Sequence, residues 1–480
     1  MGHITLSDKK APFIGAFFAV YLLKDQCSAF ESMEEFIRNL FAGLPISPIV
    51  FDIAFGIARS IFEVFTYVWW VVIPLALAFY LWDMFIAANK KAGGKGDKSI
   101  VLELRIPKEN LRSPKSMEQV FATLHTTYAG EIGWWDTNIR GKTQSTMSFE
   151  MVGRSGAVSF FIRVPADQRN LIEAALFGQY PNAEISIVDD YVDLMPSTLP
   201  NAVYDIWGTD LVLEKDSAYP IKTYLYFEEK EEEQRLDPLT VILETMSKLQ
   251  GEETIWLQYV IKPTGEKTNE YKKKGQEIVD KMLGREVKAV PELSTADHLA
   301  TMIKNFFEAF ITEPKWPEPP KKAEANPKSI SSLSFTEKEV LEGIEGKISK
   351  ICYEVGIRVV YVDRQETFNK SYTSAIVGAF KQFGSHHINS FKGNKDTSIA
   401  PPKGLKAWLF PKWKNHQEYL KKRAMYDAYK GRSIIKKAPV FSVEELATLY
   451  HIPTSLVGAP SMRRIEAKKG EPPENLPILG

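Results

Sequence analysis

An uncharged run near the N-terminus constrains the fold of this chain more than any other feature of its sequence. Residues 64–82 form 19 consecutive positions without a charged side chain, and aromatic residues stand near both ends of the run. About 20 apolar residues make a helix that crosses a hydrocarbon core of roughly 30 Å, and aromatic rings favour its two interfaces. We therefore predict a transmembrane helix, with residues 64–88 as the membrane segment.

The lysines after this run predict its orientation. Lys90, Lys91, Lys95 and Lys98 follow it closely, whereas Arg59 is the one cation at a similar distance before it. Cations concentrate on the cytoplasmic side of a membrane helix. The pattern indicates a single-pass protein of the cytoplasmic membrane, with a basic tether over residues 89–99 and the C-terminal body in the cytoplasm.

Residues 1–63 carry two weaker apolar stretches. Residues 11–23 are short for a membrane span, and residues 44–61 are interrupted by Pro45, Pro48, Asp52 and Arg59. Such stretches favour helices that lie in the membrane interface and contact lipid there. A second short crossing is the alternative for either stretch.

Length and composition limit what the body can be. The chain has 480 residues, enough for two or three domains. Its 60 basic and 60 acidic residues cancel, so only local clusters of charge can indicate a nucleic-acid partner. Cys27 and Cys352 have neither zinc-site spacing nor the spacing of a disulfide framework. We expect no metal and no cofactor.

The pattern of residues 100–195 predicts a ferredoxin-like unit. Alternating apolar positions indicate a strand over residues 102–106 and a hairpin over residues 147–164, turning at Gly153 and Gly156. Helical periodicity follows the first strand at residues 113–128 and the hairpin at residues 170–180, and a last strand lies at residues 185–187. The order is βαββαβ, which is that of the ferredoxin-like α+β fold.

A second unit of the same kind is predicted from residues 196–312 and 334–400. Its strands are expected at residues 223–227, 254–261 and 357–361, with helices over residues 237–249 and 368–380. Helical patterns at residues 269–283, 296–311 and 337–350 indicate an insertion. A Pro/Lys/Glu-rich linker over residues 313–333 lies within it, and residues 401–480 form a C-terminal extension.

No motif in the sequence predicts an enzyme. Gly141, Lys142 and Thr143 match the end of a phosphate-binding loop, but Asp136 stands where the first glycine is needed. The sequence also contains neither GxSxG nor HExxH. We therefore expect no catalytic residue, no cofactor-binding residue and no metal ligand.

A basic and aromatic segment is the one candidate binding site. Between residues 403 and 437, 11 Lys or Arg residues are interleaved with aromatic ones. Cations contact phosphates and aromatic rings stack on bases, so we predict a polyanion site. Its candidate residues are Lys403, Lys406, Lys412, Trp413, Lys414, Lys421, Lys422, Arg423, Lys430, Arg432, Lys436 and Lys437. A charge run is most often a solvated basic helix with aromatic residues in the core, and that interpretation comes first. Of the polyanions, single-stranded DNA is the first expectation and anionic lipid the second.

Several long segments carry a resemblance to a known family. They include LELRIPKENLRSPKSMEQVFATLH, MSFEMVGRSGAVSFFIRVPADQRNLIEAALFGQYPNAEI, WGTDLVLEKDSAYPIKTY, RVVYVDRQETFNKSYTSAIVGAFKQF and ELATLYHIPTSLVGAP. Over residues 100–480 the chain resembles a bacterial membrane-protein family of largely unknown function, similar to the N-terminal region of HerA/FtsK-like conjugative type IV secretion ATPases.

What this resemblance implies is a scaffold, since residues 468–477 resemble the lead-in to the motor domain and the sequence ends at Gly480. We expect a membrane-anchored, non-catalytic adaptor of a DNA-translocation or type IV secretion-like system. Its expected partners are a separately encoded HerA/FtsK-like ATPase, single-stranded DNA, membrane lipid and further copies of the chain. A nucleic-acid- or anionic-lipid-binding module is the alternative function.

Overall fold

The computed structural model describes most of the body and part of the N-terminal region. The described residues are 56, 60, 70–71, 73–89, 98–107, 112–130, 132–227, 237–265, 270–285, 333–401, 408–453 and 464–465. Residues 1–88 and 89–480 form two compact units. The predicted interfacial stretches before residue 56, the tether over residues 90–97 and the linker over residues 313–332 lie outside the described residues.

The predicted fold class is wrong in its transmembrane helix. Residues 73–89 are helical, but within the described part of the chain no helix is both long and apolar enough to cross a membrane. The contiguous described helix, residues 73–89, has 17 residues, which is fewer than the roughly 20 apolar residues that a crossing needs, and Asp83 lies within it. Residues 64–69 and Val72 of the predicted span lie outside the described residues.

The body has an α+β fold with one large β-sheet. In chain order its strands are β1 Ser99–Pro107, β2 Met147–Arg154, β3 Ala157–Pro165, β4 Glu184–Val188, β5 Tyr204–Leu213, β6 Thr254–Pro263, β7 Cys352–Arg364, β8 Phe391–Gly393, β9 Val440–Ser442 and β10 Arg464–Ile465. The helices are α1 Lys115–Leu124, α2 Trp134–Asn138, α3 Arg169–Gln179, α4 Thr240–Ser247, α5 Glu270–Met282, α6 Phe335–Ile348, α7 Ser371–Ala379, α8 Pro411–Lys430 and α9 Val443–Leu449.

The strand order runs continuously through both predicted ferredoxin-like units, so they share one sheet. Across the sheet it is β4-β1-β3-β2-β6-β7-β5-β8, while β9 pairs with β7 and β10 with β1. The two halves meet where β2 and β6 pair antiparallel, with Glu150 opposite Gln258. Each of these strands would otherwise present unpaired backbone groups at an edge, so their pairing joins the halves into one sheet.

The first strand of the second half differs from its predicted position. Residues 223–227 were expected to form a strand, but Tyr224–Tyr226 is a 3₁₀ turn and the strand is β5, Tyr204–Leu213. Burial explains the error, since β5 contains Gly208, Thr209 and Asp210 at buried positions and therefore lacks an alternating apolar pattern.

Each face of the sheet is covered by its own helices. Leu102 and Phe149 face the larger core, which α1, α3, α4, α7 and α9 cover. Val101, Trp256 and Val360 face the other way, toward the second half of α8 and the 3₁₀ turn Tyr191–Leu194. Residues of one strand alternate between the two faces, so the long strands β1, β2, β3, β5, β6 and β7 contribute to both cores.

Helices α5 and α6 form a smaller third core beside the sheet. A buried ion pair connects them to α9, because Nζ of Lys347 lies 3.0 Å from Oε2 of Glu445 and both side chains are 1% exposed. Glu445 also accepts a hydrogen bond from the Ile221 amide and completes the capping box of α9 with Ser442.

Candidate nucleic-acid interface

The candidate segment is built around α8, a helix of 20 residues. Pro411 at its first turn has the fixed φ that suits a helix start and no amide hydrogen to leave unsatisfied. Near its other end, Met425, Tyr426 and Tyr429 are buried. Their spacing places them on one helix face, which packs on the sheet.

Residues 408–420, which are the last three residues before α8 and its first ten, form the exposed end of this helix and differ from its buried half. Trp408 is 76% exposed, Leu409 52% and Phe410 58%. Lys412 is also exposed, and Lys414 is half-buried. Trp413 is half-buried as well and has its own contacts. Cations and aromatic rings therefore stand together on a part of the helix that the core does not hold.

A row of buried polar side chains crosses the sheet below the other end of α8. Glu150 of β2, Gln258 of β6, Arg358 of β7 and Asp210 of β5 stand opposite one another in successive strand pairs. None is more than 3% exposed. Gln258 donates to Oε1 of Glu150 over 2.9 Å, and Nε of Arg358 donates to Oδ1 of Asp210 over 2.8 Å. The row is thus largely paired within the sheet.

The same row holds the C-terminal end of α8. Arg358 donates from Nη1 to the carbonyl of Ala428 over 2.8 Å, and Gln258 donates to the carbonyl of Tyr429 over 3.2 Å. The last carbonyls of a helix lack partners within it and carry partial negative charge, so a buried guanidinium there satisfies and stabilises the helix end.

Arg432 also belongs to this network, which it contacts from the segment after α8. Its Nε lies 3.0 Å from Oε1 of Glu150, and its Nη1 lies 2.5 Å from Oδ2 of Asp190. Burial alone would raise the pKa of Asp190, but its bonds to Arg432 outweigh burial and hold that pKa below its usual value. Burial would lower the pKa of Arg432, and the two carboxylates raise it instead. Both groups are therefore held in their charged forms.

Aromatic contacts complete the anchor. The ring of Tyr429 stacks on that of Trp256 with centroids 4.7 Å apart. The hydroxyl of Tyr429 forms a short hydrogen bond with that of Tyr191, which also donates to Glu150 over 2.7 Å. Burial raises the pKa of both tyrosines well above the ordinary value. Tyr426 and Tyr429 thus belong to the core and are closed to a base.

The structure divides the predicted site residues into groups. Arg432 is buried, and three further cations pair with carboxylates of the protein: Lys422 with Asp205 and Glu418, Lys430 with Asp193, and Arg423 with Asp427. The exposed or half-buried residues are Lys412, Trp413, Lys414, Lys421, Lys436 and Lys437. Lys403 and Lys406 lie outside the described residues.

The buried row itself was missed by sequence reasoning, although it left a signal. Glu150, Gln258, Arg358 and Asp210 each interrupt a strongly apolar or glycine-containing strand pattern. A polar residue at an inward strand position needs a buried partner, so four such interruptions indicate a paired network. To pair these residues, one would also need to know which strands are neighbours in the sheet.

Two cavities flank the segment that follows α8. One, of about 820 Å³, is lined by Lys262, Arg432 and two residues of the loop whose sequence matches the end of a phosphate-binding motif, Lys142 and Thr143. The other, of about 380 Å³, lies on the side of Lys421 and Lys436. Within the described ranges, no group of three or more His, Cys, Asp or Glu side chains is placed to hold a metal ion.

The fold and this surface define a class: an α+β protein with one continuous sheet and a half-buried basic helix across one face. Residues 90–463 match the family model described as a domain of unknown function, DUF8128, so the chain belongs to that family. No curated protein matches the chain.

Proposed function

We propose that this protein is a non-catalytic adaptor that binds single-stranded nucleic acid along the exposed end of α8. The observation that carries the proposal is the division of this helix. Its second half is held by buried polar and aromatic contacts, whereas Trp408 and Phe410 just before it and Lys412 in its first turn are exposed to solvent. A rigidly held helix with a free aromatic and basic end is suited to binding.

The charges support the same surface. Arg432, Lys422 and Lys430 are neutralised by carboxylates of the fold, so they have little charge to offer a phosphate. Lys412 and Lys414 make no ion pair with any described residue. Phosphate contacts of such lysines release counterions, and exposed aromatic rings add stacking on bases.

Docking of a separately encoded motor ATPase is the second candidate function. It is favoured by three consecutive exposed apolar residues, Trp408, Leu409 and Phe410, since aromatic residues in a row with few charges are typical anchors of protein interfaces. The resemblance to the N-terminal region of HerA/FtsK-like ATPases implies the same kind of partner. Both candidates use one surface and differ in the chemistry of the partner.

The test is binding of a labelled single-stranded oligonucleotide to the full chain, followed by fluorescence anisotropy. We expect binding at low salt that Lys412→Ala/Lys414→Ala weakens. The matched control is Lys370→Ala/Lys381→Ala, which removes two exposed lysines at and just beyond the ends of α7, on the opposite face of the sheet.

The outcomes separate the candidates. Binding lost in the α8 variant and kept in the control supports the proposal. If neither wild type nor control binds the oligonucleotide at low salt, the nucleic-acid proposal is wrong. Retention of a motor ATPase by wild type, with loss in Trp408→Ala, then supports the second candidate.

A further inference from the structure

The cavity of about 380 Å³ lies beside the second half of α8, outside the exposed end. Its walls come from α8, from the loop after β8 and from the segment after α8. Its lining is mixed, and Met425, Ile434 and Ile435 contribute apolar side chains. The polar lining residues are Asp210, Arg358, Asn394, Asp396, Thr397, Lys421 and Lys436.

The floor of this cavity is rigidly built. Arg358 and Asp210 are almost fully buried and bonded to each other. Arg358 also donates to the carbonyl of Ser433, and the amide of Asp210 donates to Oγ1 of Thr397 over 3.3 Å. Side chains fixed in this way keep a site in its binding geometry before the ligand arrives.

The rim carries unbalanced charge. Lys421 and Lys436 line the cavity, and neither forms an ion pair with a described residue. Asp396 on the same rim has no ion pair there either. The charges of Arg358 and Asp210 cancel, so two lysines and one carboxylate leave the lining with a net positive charge. An anion is therefore the ligand that this cavity attracts.

We propose that this cavity binds a nucleoside monophosphate. Its volume lies near the lower end of the range of roughly 300–1,000 Å³ typical of small-molecule sites. The two lysines are placed to hold the phosphate as charge-assisted donors. The apolar side chains accept the face of a base, and Asn394 and Asp396 offer hydrogen bonds to its edge.

This site goes beyond the nucleic-acid surface proposed for residues 408–420 and does not depend on it. Lys421 and Lys436 line the cavity, whereas Lys412 and Lys414 do not. A variant of each pair therefore separates the two proposals, because each removes two positive charges and leaves the other pair in place.

The test is calorimetric titration of the full chain with AMP, GMP, CMP and UMP, and with inorganic phosphate and the nucleosides as fragments. We expect at least one nucleotide to bind more tightly than either of its fragments. Lys421→Ala/Lys436→Ala should weaken that binding by roughly tenfold or more, as expected for lost charge-assisted donors. Lys412→Ala/Lys414→Ala should leave it unchanged, and melting temperatures should show that both variants fold.

Three results would overturn the proposal. The first is no binding of any of the four nucleotides at millimolar concentration. The second is inorganic phosphate binding as tightly as the nucleotides, because the apolar lining residues would then contribute nothing to binding. The third is equal nucleotide binding by wild type and a folded Lys421→Ala/Lys436→Ala protein.

Discussion

Arg432 and Glu150 are 282 residues apart in the chain, and their side chains meet in a fully buried ion pair with Nε 3.0 Å from Oε1. Glu150 lies in the middle of β2, and Arg432 follows the end of α8. The pair therefore fixes the C-terminal segment to the strand at which the two halves of the sheet meet. The exposed end of α8 depends on this attachment for its position.

Removing the cation of that pair should destabilise the protein strongly. Arg432→Met leaves Glu150 buried without its charged partner, so we expect the free energy of unfolding to fall by about 3–5 kcal/mol. Lys430→Ala is the control, because its pair with Asp193 is exposed and should cost less than about 1 kcal/mol. Urea unfolding measures both, and equal small losses would show that the network does not anchor α8.

The pH dependence of stability should include a contribution from Asp190. Its pKa is lowered in the folded protein, so this contribution is complete above the unfolded pKa of about 3.9 and disappears as the pH falls through the lower folded value. Asp190→Asn should be less stable than wild type at pH 7. The difference should shrink below about pH 4, and a difference that stays constant down to pH 2 would contradict the assignment.

The approach of α8 to the sheet should not tolerate a methyl group at Gly208. A Cβ there would lie 2.7 Å from Cγ of Met425 and 3.1 Å from the Val359 carbonyl oxygen. We expect Gly208→Ala to cost about 1–3 kcal/mol of stability through overpacking.

Gly378→Ala is the matched control for this substitution. Gly378 lies in α7 with nothing within 4 Å of the added Cβ, and alanine has a better helix propensity than glycine. We expect an increase in stability of up to about 1 kcal/mol. Thermal unfolding of both variants measures the two effects on stability. Equal effects would mean that Met425 does not hold α8 against β5.

The aromatic residues of the candidate segment should fall into two classes. Tyr429 stacks on Trp256 in the core, so Tyr429→Ala should lower stability by about 3–5 kcal/mol. Trp408 is exposed, so Trp408→Ala should leave the melting temperature unchanged and weaken oligonucleotide binding by about 1–3 kcal/mol. Trp413→Ala, at a half-buried position, should affect both measurements. A large loss of stability in Trp408→Ala would contradict the division of α8.

Local sequence patterns predicted many of the helices and strands, but they did not predict how these elements assemble. Periodicity placed the helices near residues 170–180 and 269–283 close to α3 and α5, because amphipathic order is a property of one segment. The pairing of β2 with β6 depends on edges that lie far apart in sequence, so it could not be predicted from either strand. Strand β5 was missed because Gly208 and Asp210 hide its alternation.

Composition was enough to predict where the candidate segment lies in the sequence, but not which contacts its side chains make. Counting Lys and Arg identified the segment, but three of its cations pair with carboxylates on other elements: Lys422 with Asp205, Lys430 with Asp193 and Arg432 with Glu150. Those carboxylates come from residues more than 200 positions earlier, so no window of sequence includes both partners. The positive charge that a binding partner can contact is therefore smaller than the number of Lys and Arg residues in the segment indicates.

The most direct test of the proposed nucleic-acid interface is the salt dependence of oligonucleotide binding. For single strands the slope of log affinity against log salt is about 0.7 per neutralised phosphate. We predict that Lys412→Ala/Lys414→Ala flattens the wild-type slope by about 1.4, while Lys370→Ala/Lys381→Ala leaves it unchanged. Equal slopes in all three proteins, or no binding by the wild type at low salt, would contradict the account.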